Sequence, residues 1–128
     1  MGKVKGTRAE RELLHMLYSK KFSIMRSAGS GSIGIPNPDL IAGKNGRILA
    51  IECKSLSVEN KYFKEQEIKE LNQFSKKFGA EAWLALRFDN IGWYFIQPHK
   101  LNKTKSNYYS ISLEEIKRKG LNFGKLIR

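Results

Sequence analysis

Pro38-Asp39, followed after twelve residues by Glu52-Cys53-Lys54, sets two carboxylates and one amine at a spacing that suits metal-dependent phosphodiester cleavage. Asp39 opens the apolar stretch Leu40-Ile41-Ala42. A turn follows at Gly43-Lys44-Asn45-Gly46, and Arg47 to Lys54 reads as a buried strand. An Asn-Gly pair between two apolar runs is a hairpin signal. Side chains alternate along a strand, so Glu52 and Lys54 share a face, and the hairpin brings Asp39 beside Glu52. Hard oxygen donors of this kind suit Mg²⁺. The plain alternative is a solvated ion pair on a strand surface. Against it, Ile48, Leu49, Ala50 and Ile51 make both faces of the strand apolar, which marks a central strand. Unpaired charge at the end of a central strand is costly, so these groups need a chemical reason.

The elements that position them follow from periodicity. Thr7 to Lys21 is predicted helical, with Thr7 as its cap and Glu10 as the capping-box partner. Glu10 shares the side of Leu13, Leu14 and Leu17, which carries a carboxylate toward buried structure, whereas Glu12 points elsewhere with Arg8 and His15 and is expected to be solvated. Phe22 to Ser27 is a predicted strand, and Ala28 to Asn37 a Gly/Ser/Pro loop. Asp39 to Ala42 and Arg47 to Ser55 are the next strands. Ser57 to Lys64 is polar and expected to be a mobile connection. Glu65 to Phe78 has helical spacing, with Ile68, Leu71, Phe74, Ser75 and Phe78 along one side and Gly79 as its stop. Glu81 to Phe88 and Ile91 to Gln97 are predicted strands. Ser112 to Lys119 is a short helix with a Ser112/Glu115 capping box, closed by Gly120. The order αβββαββα describes one α/β domain over residues 1–128, a central mixed β-sheet flanked by helices.

Composition names the partner class. The chain of 128 residues carries 24 Lys plus Arg against 12 acidic residues, a net charge of +12. That excess favours a polyanion, nucleic acid or an anionic membrane. The cations are spread from Lys3 to Lys119 rather than gathered in a tail, which implies a folded basic surface. No apolar run approaches a membrane span, and no secretory pattern opens the chain. The single cysteine, Cys53, allows no internal disulfide and reads as a small core residue, so a cytoplasmic setting is expected. His15 and His99 have no partner spacing for a metal or for catalysis.

Taken in order, Gly6-Thr7-Arg8-Ala9-Glu10-Arg11-Glu12-Leu13-Leu14, Arg26-Ser27-Ala28-Gly29-Ser30, Pro38-Asp39 and Ile51-Glu52-Cys53-Lys54 resemble the archaeal Holliday junction resolvases of the PD-(D/E)XK nuclease superfamily. The likeness runs from about Lys5 to the Gly92-Trp93 strand. It implies a restriction-endonuclease-like core and a metal-dependent endonuclease acting on four-way DNA junctions in recombination and repair. It implies that Asp39 and Glu52 bind Mg²⁺ or Mn²⁺, helped by the backbone carbonyl of Cys53. Lys54 would orient or activate water and steady the phosphate, and Glu10 would complete the acidic cluster. Arg11 and Arg26 match positions associated with phosphate contact, and Ser30 matches a serine important for cleavage. Gln66 falls where relatives place a polar residue. Lys61 and Lys64 join the expected DNA-binding set.

A junction has two strands to cut about a near two-fold axis, and family members are C₂ homodimers with two sites. Ile91 to Ile96 is apolar on both faces, so one face packs on a helix and the other meets either a partner or its own domain. Tyr108 and Tyr109 stack on DNA or simply pack. Two rivals stand: another nuclease of the superfamily, told apart by cutting linear duplex, and a DNA-architectural protein without catalysis. The carboxylates at Glu10, Asp39 and Glu52 argue against the second, because they would face phosphate.

Overall fold

The Asn45-Gly46 turn sets the register of the sheet. In the computed structural model, which describes residues 2–27 and 34–128 with side chains from Gly6 onward, Asn45 (φ 51°) and Gly46 (φ 84°) both adopt left-handed backbone. That pair closes a two-residue hairpin between β2 (Leu40–Lys44) and β3 (Arg47–Leu56), with Lys44 opposite Arg47 and Leu40 opposite Ile51. β1 (Ser23–Arg26) adds to β2 antiparallel. On the other side β5 (Glu81–Phe88) runs parallel to β3, and β6 (Gly92–Ile96) returns antiparallel to β5. The order β1-β2-β3-β5-β6 puts β3 in the centre, as its two apolar faces require.

The parallel β3–β5 pair needs a crossover, and α2 (Glu65–Phe78) supplies the helix within it. Ile68 and Leu71 bury its apolar side, and Gly79 (φ 81°) ends it by donating its N–H to the Ser75 carbonyl. α1 (Gly2–Ser19) covers the opposite sheet face. There Ala9, Leu13 and Leu17 pack with Leu49, Ile51, Trp83 and Phe95. The second cluster joins Ala50, Leu84 and Leu86 to Phe63, Ile68, Ile111 and Ile116. Neither α1 nor α2 is long and apolar enough to cross a membrane, and the same holds for every helix among the described residues.

Several elements depart from the sequence reading. α1 begins at Gly2, so Thr7 lies inside the helix and is not its cap; no proline stands upstream to stop the helix earlier. Ser57 to Lys64 is not a loose connection throughout. Asn60–Lys64 is β4, and it pairs antiparallel with β8 (Tyr108–Ser112), which also holds β7 (Asn102–Lys103). This second sheet, of order β4-β8-β7, is anchored by Phe63 and Ile111, both fully buried. Lysines and tyrosines at alternate positions hide its period in the sequence. α3 (Leu113–Lys119) has the expected box, Ser112 Oγ accepting from Glu115 N while Glu115 accepts from Ser112 N. A further short helix, α4 (Phe123–Leu126), follows.

β6 is covered by its own chain. Trp93 and Phe95 lie in the first cluster and Ile96 in the second, and the main chain of Phe95 exchanges two hydrogen bonds with Leu121, at 2.8 and 2.7 Å. Trp93, Phe95 and Ile96 are therefore buried within their own chain, which leaves Ile91 and part of Tyr94 exposed. Glu12 is not merely solvated either. Its Oε1 accepts from Arg87 Nε (2.9 Å) and from the buried Trp93 Nε1 (2.6 Å), tying α1 to β5 and β6. Because the Trp93 N–H would lose its acceptor, Glu12→Ala should lower stability by about 1 kcal/mol, a value reduced for the exposure of the pair. Urea denaturation checks this; an unchanged midpoint would show the tie to be idle.

Candidate active site

The hairpin register, continued by one residue, sets Asp39 opposite Glu52. Asp39 is held at two points. Its carbonyl accepts from Ser27 N (2.9 Å), which extends the β1–β2 ladder, and its Oδ2 accepts from Cys53 N (2.8 Å), which fixes the carboxylate against β3. Two residues beyond Glu52, Lys54 returns to the same face, with its Nζ 3.8 Å from Glu52 Oε2. The same Nζ donates to Glu67 Oε1 at 3.2 Å. Glu67 sits in the first turn of α2, and its other oxygen accepts from Lys64 N (3.0 Å), so one carboxylate ties the helix start to the lysine. A cleft of about 320 Å³ opens here, with Pro36, Asn37 and Pro38 on one side and Glu52, Glu67 and Glu70 on the other.

Charge is crowded in this cleft. Burial pushes the Asp39 carboxyl up to about 6, with Glu10 adding repulsion, against the Cys53 N–H, Lys54 and Arg26. Burial likewise pushes Glu52 up to about 8, with Asp39 as the main repulsive neighbour. For Lys54, burial disfavours the charge, but Glu52, Glu67 and Asp39 outweigh it and hold its pKa above the ordinary lysine value. Lys61 is pulled below its ordinary value by burial and by the charge of Lys54. Glu67 stays below the ordinary glutamate value; burial opposes this, and the Lys64 N–H and Lys54 prevail.

The remaining residues singled out from sequence take separate places. Glu10 Oε1 accepts from Arg26 Nε at 2.9 Å, so these two form a pair beside Asp39. Arg11 is exposed on α1 and Lys64 exposed on β4. Lys61 lies with its Nζ 5.5 Å from the Phe63 ring centroid. The Cys53 side chain is buried, so only its main chain faces the site. Gln66 is exposed and donates to Glu70. Ser30 lies outside the described residues. Glu67 was not legible as a site residue. Its signal was an acid three residues past a helix start, but with Lys64 at the cap position no Ser, Thr, Asp or Asn announced a box.

Among the described residues, no three His, Cys, Asp or Glu side chains gather as a metal cluster. Asp39 and Glu52 nevertheless fit a hard divalent ion. Mg²⁺ is commonly held by one or two carboxylates together with water and substrate phosphate. Two adjacent carboxylates whose proton affinity is raised by burial, and at Glu52 also by Asp39, are a donor pair that a cation would relieve. The sign for stability follows. A carboxyl whose pKa rises on folding binds its proton more tightly in the folded state. Its contribution is full below the unfolded value near 4.5 and is lost as pH climbs toward about 8. Glu52→Gln should therefore melt at higher temperature than the parent at pH 8 in EDTA, with the gap closing toward pH 4.5. Calorimetry at the two pH values tests this; a gap independent of pH would remove the assigned strain.

The fold and its site define an α/β nuclease-like domain with paired acids where the β2–β3 hairpin opens, one just before β2 and one within the central strand. A solved structure described as Archaeoglobus fulgidus Hjc, a Holliday junction resolvase, superposes with a TM-score of 0.86 at 33% identity, over 96% of this chain and 95% of that one. A bacterial homing endonuclease shares the fold at a TM-score of 0.55 and 10% identity. The model of the archaeal Holliday junction resolvase (Hjc) family matches residues 1–128, and this chain belongs to that family. Crossover junction endodeoxyribonuclease Hjc of Methanocaldococcus jannaschii is 37% identical over 96% of this chain and 86% of its own length. The protein of the same name from Archaeoglobus fulgidus is 40% identical over 83% and 78%.

Proposed function

We propose that this chain is a crossover junction endonuclease, resolving four-way DNA junctions by metal-dependent phosphodiester hydrolysis in recombination and repair. The observation that carries the reading is the grouping of Asp39, just before β2, with Glu52 and Lys54 in the middle of β3, in a chain of this family. Asp39 and Glu52 would hold Mg²⁺ or Mn²⁺, with the Cys53 carbonyl as a third donor. When bound, the ion lowers the pKa of water and neutralises charge on the phosphate. Lys54 keeps its proton in this setting, so it acts as a cation and hydrogen-bond donor to a phosphate oxygen, not as a base. Glu52 and Glu67 hold its ammonium in the cleft. Glu10 fixes Arg26 beside Asp39, where the guanidinium meets a phosphate. Arg11, Lys61 and Lys64 extend the cationic surface, and Ser30 keeps the role that its family position suggests.

Two cuts about a near two-fold axis call for two copies, so a C₂ homodimer is the working assembly. A cytoplasmic setting agrees with the single cysteine and with DNA as substrate.

Asp39→Asn, Glu52→Gln and Lys54→Ala should each cut a labelled junction at least a hundredfold more slowly in Mg²⁺ and bind it nearly as tightly as the parent. Each removes a site group and little of the net +12 charge. Cutting at the parental rate would overturn the site. A competition gel tests the substrate: unlabelled linear duplex in large excess should not displace a labelled junction, because phosphate contacts carry no base code and selectivity rests on arm geometry. Displacement at comparable concentration would leave a general nuclease.

A further inference from the structure

The second sheet presents a surface that the cleft chemistry leaves unused. On β4, Phe63 is buried and Lys61 half-buried on one face, while Tyr62 and Lys64 stay exposed on the other. In the β4–β8 ladder Tyr62 lies opposite Ser110 and Lys64 opposite Tyr108. Directly opposed residues share a face, so Tyr62, Lys64, Tyr108 and Ser110 form one outer surface. Tyr62 is 61% and Tyr108 40% exposed, two large aromatic side chains left in water at diagonal positions of one ladder, roughly 7–8 Å apart. No carboxylate stands among these four residues, in a chain of net charge +12.

We propose that this outer face binds unpaired nucleotides, the rings of Tyr62 and Tyr108 stacking on bases while Lys64 meets a phosphate between them. The proposal rests on the reading of the chain as a junction endonuclease. Aromatic side chains with adjacent cations are the general device for holding single strands, because every base has a face to stack on. In a continuous duplex those faces cover one another. At a branch point the stack is interrupted and a face becomes available. The surface is also joined to the cleft: Lys64 N donates to Glu67 at 3.0 Å, and Glu67 accepts from Lys54 at 3.2 Å. Lys54 and the strand that carries Tyr62 are therefore tied to the same residue at the start of α2.

The test uses the full chain in EDTA, so that no strand is cut. Fluorescence anisotropy reads binding to a labelled oligothymidylate and to a continuous duplex. A four-way junction with 2-aminopurine at its branch point reports stacking. The double variant Tyr62→Ala/Tyr108→Ala should lose roughly tenfold affinity for the single strand and the quenching at the branch point, with duplex binding unchanged. Tyr62→Phe/Tyr108→Phe should keep both signals, because the ring and not the hydroxyl is used. Tyr18→Ala, another exposed tyrosine on α1, should change neither. Equal single-strand affinity in the parent and the double alanine variant would overturn the proposal, as would an equal loss on duplex, which makes the tyrosines general backbone contacts. If the parent does not prefer junction to duplex, the junction reading fails, while the oligothymidylate arm still decides whether the tyrosines bind bases. Thermal melts of each variant check that the core is intact.

Discussion

Two carboxylates held side by side where the β2–β3 hairpin opens are the constraint around which this structure is arranged. Asp39 and Glu52 meet because the Asn45-Gly46 turn fixes the β2–β3 register. A slip by one residue would send one of them to the opposite face. Their burial is unfavourable in isolation, as the raised pKa values of about 6 and about 8 express, with Asp39 adding repulsion at Glu52. At Asp39 the Cys53 N–H, Lys54 and Arg26 offset part of that cost. Strain that the fold maintains and only partly compensates belongs at a place where a cation or a phosphate is to be received.

Three other acids fasten elements of the fold to one another. Glu12 holds Arg87 and Trp93, Glu81 holds Arg47 and Trp83, and Glu10 holds Arg26. Each pair fastens one element to another: α1 to β5 and β6, β3 to β5, and α1 to β1. With 12 acids against 24 cations, spending carboxylates in this way leaves the surface strongly positive, while negative charge concentrates at the cleft. That division resolves an apparent contradiction of nucleases, which must attract DNA over a wide area and yet collect acids at one point.

Much of this was legible in the chain, and the rest was hidden for identifiable reasons. The hairpin, the central position of β3, the bounds of α2 and the Ser112/Glu115 box each depend on residues close in sequence. The meeting of Asp39 with Glu52 and Lys54 follows from local alternation and one turn. What was missed depends on distant partners. β4 looked like a loop because its buried Phe63 stands between lysine and tyrosine, and its partner β8 lies more than forty residues on. Glu12 looked solvated because Arg87 and Trp93 come from strands on the far side of the sheet. Thr7 looked like a cap because its spacing to Glu10 is right, although the helix had already begun.

Glu67 shows how such long-range features bear on chemistry. Its two oxygens do different work, one accepting from the Lys64 N–H at the start of α2 and the other from the Lys54 ammonium. The end of β4, the start of α2 and Lys54 are thus one connected unit. Lys54 lies on a rigid central strand, but its long side chain would sample many rotamers without a partner, and burial alone would favour its neutral form. A carboxylate reaching in from the crossover helix fixes the position and also keeps the charge. The crossover that topology demands between two parallel strands therefore supplies a counter-charge that helps keep the lysine protonated.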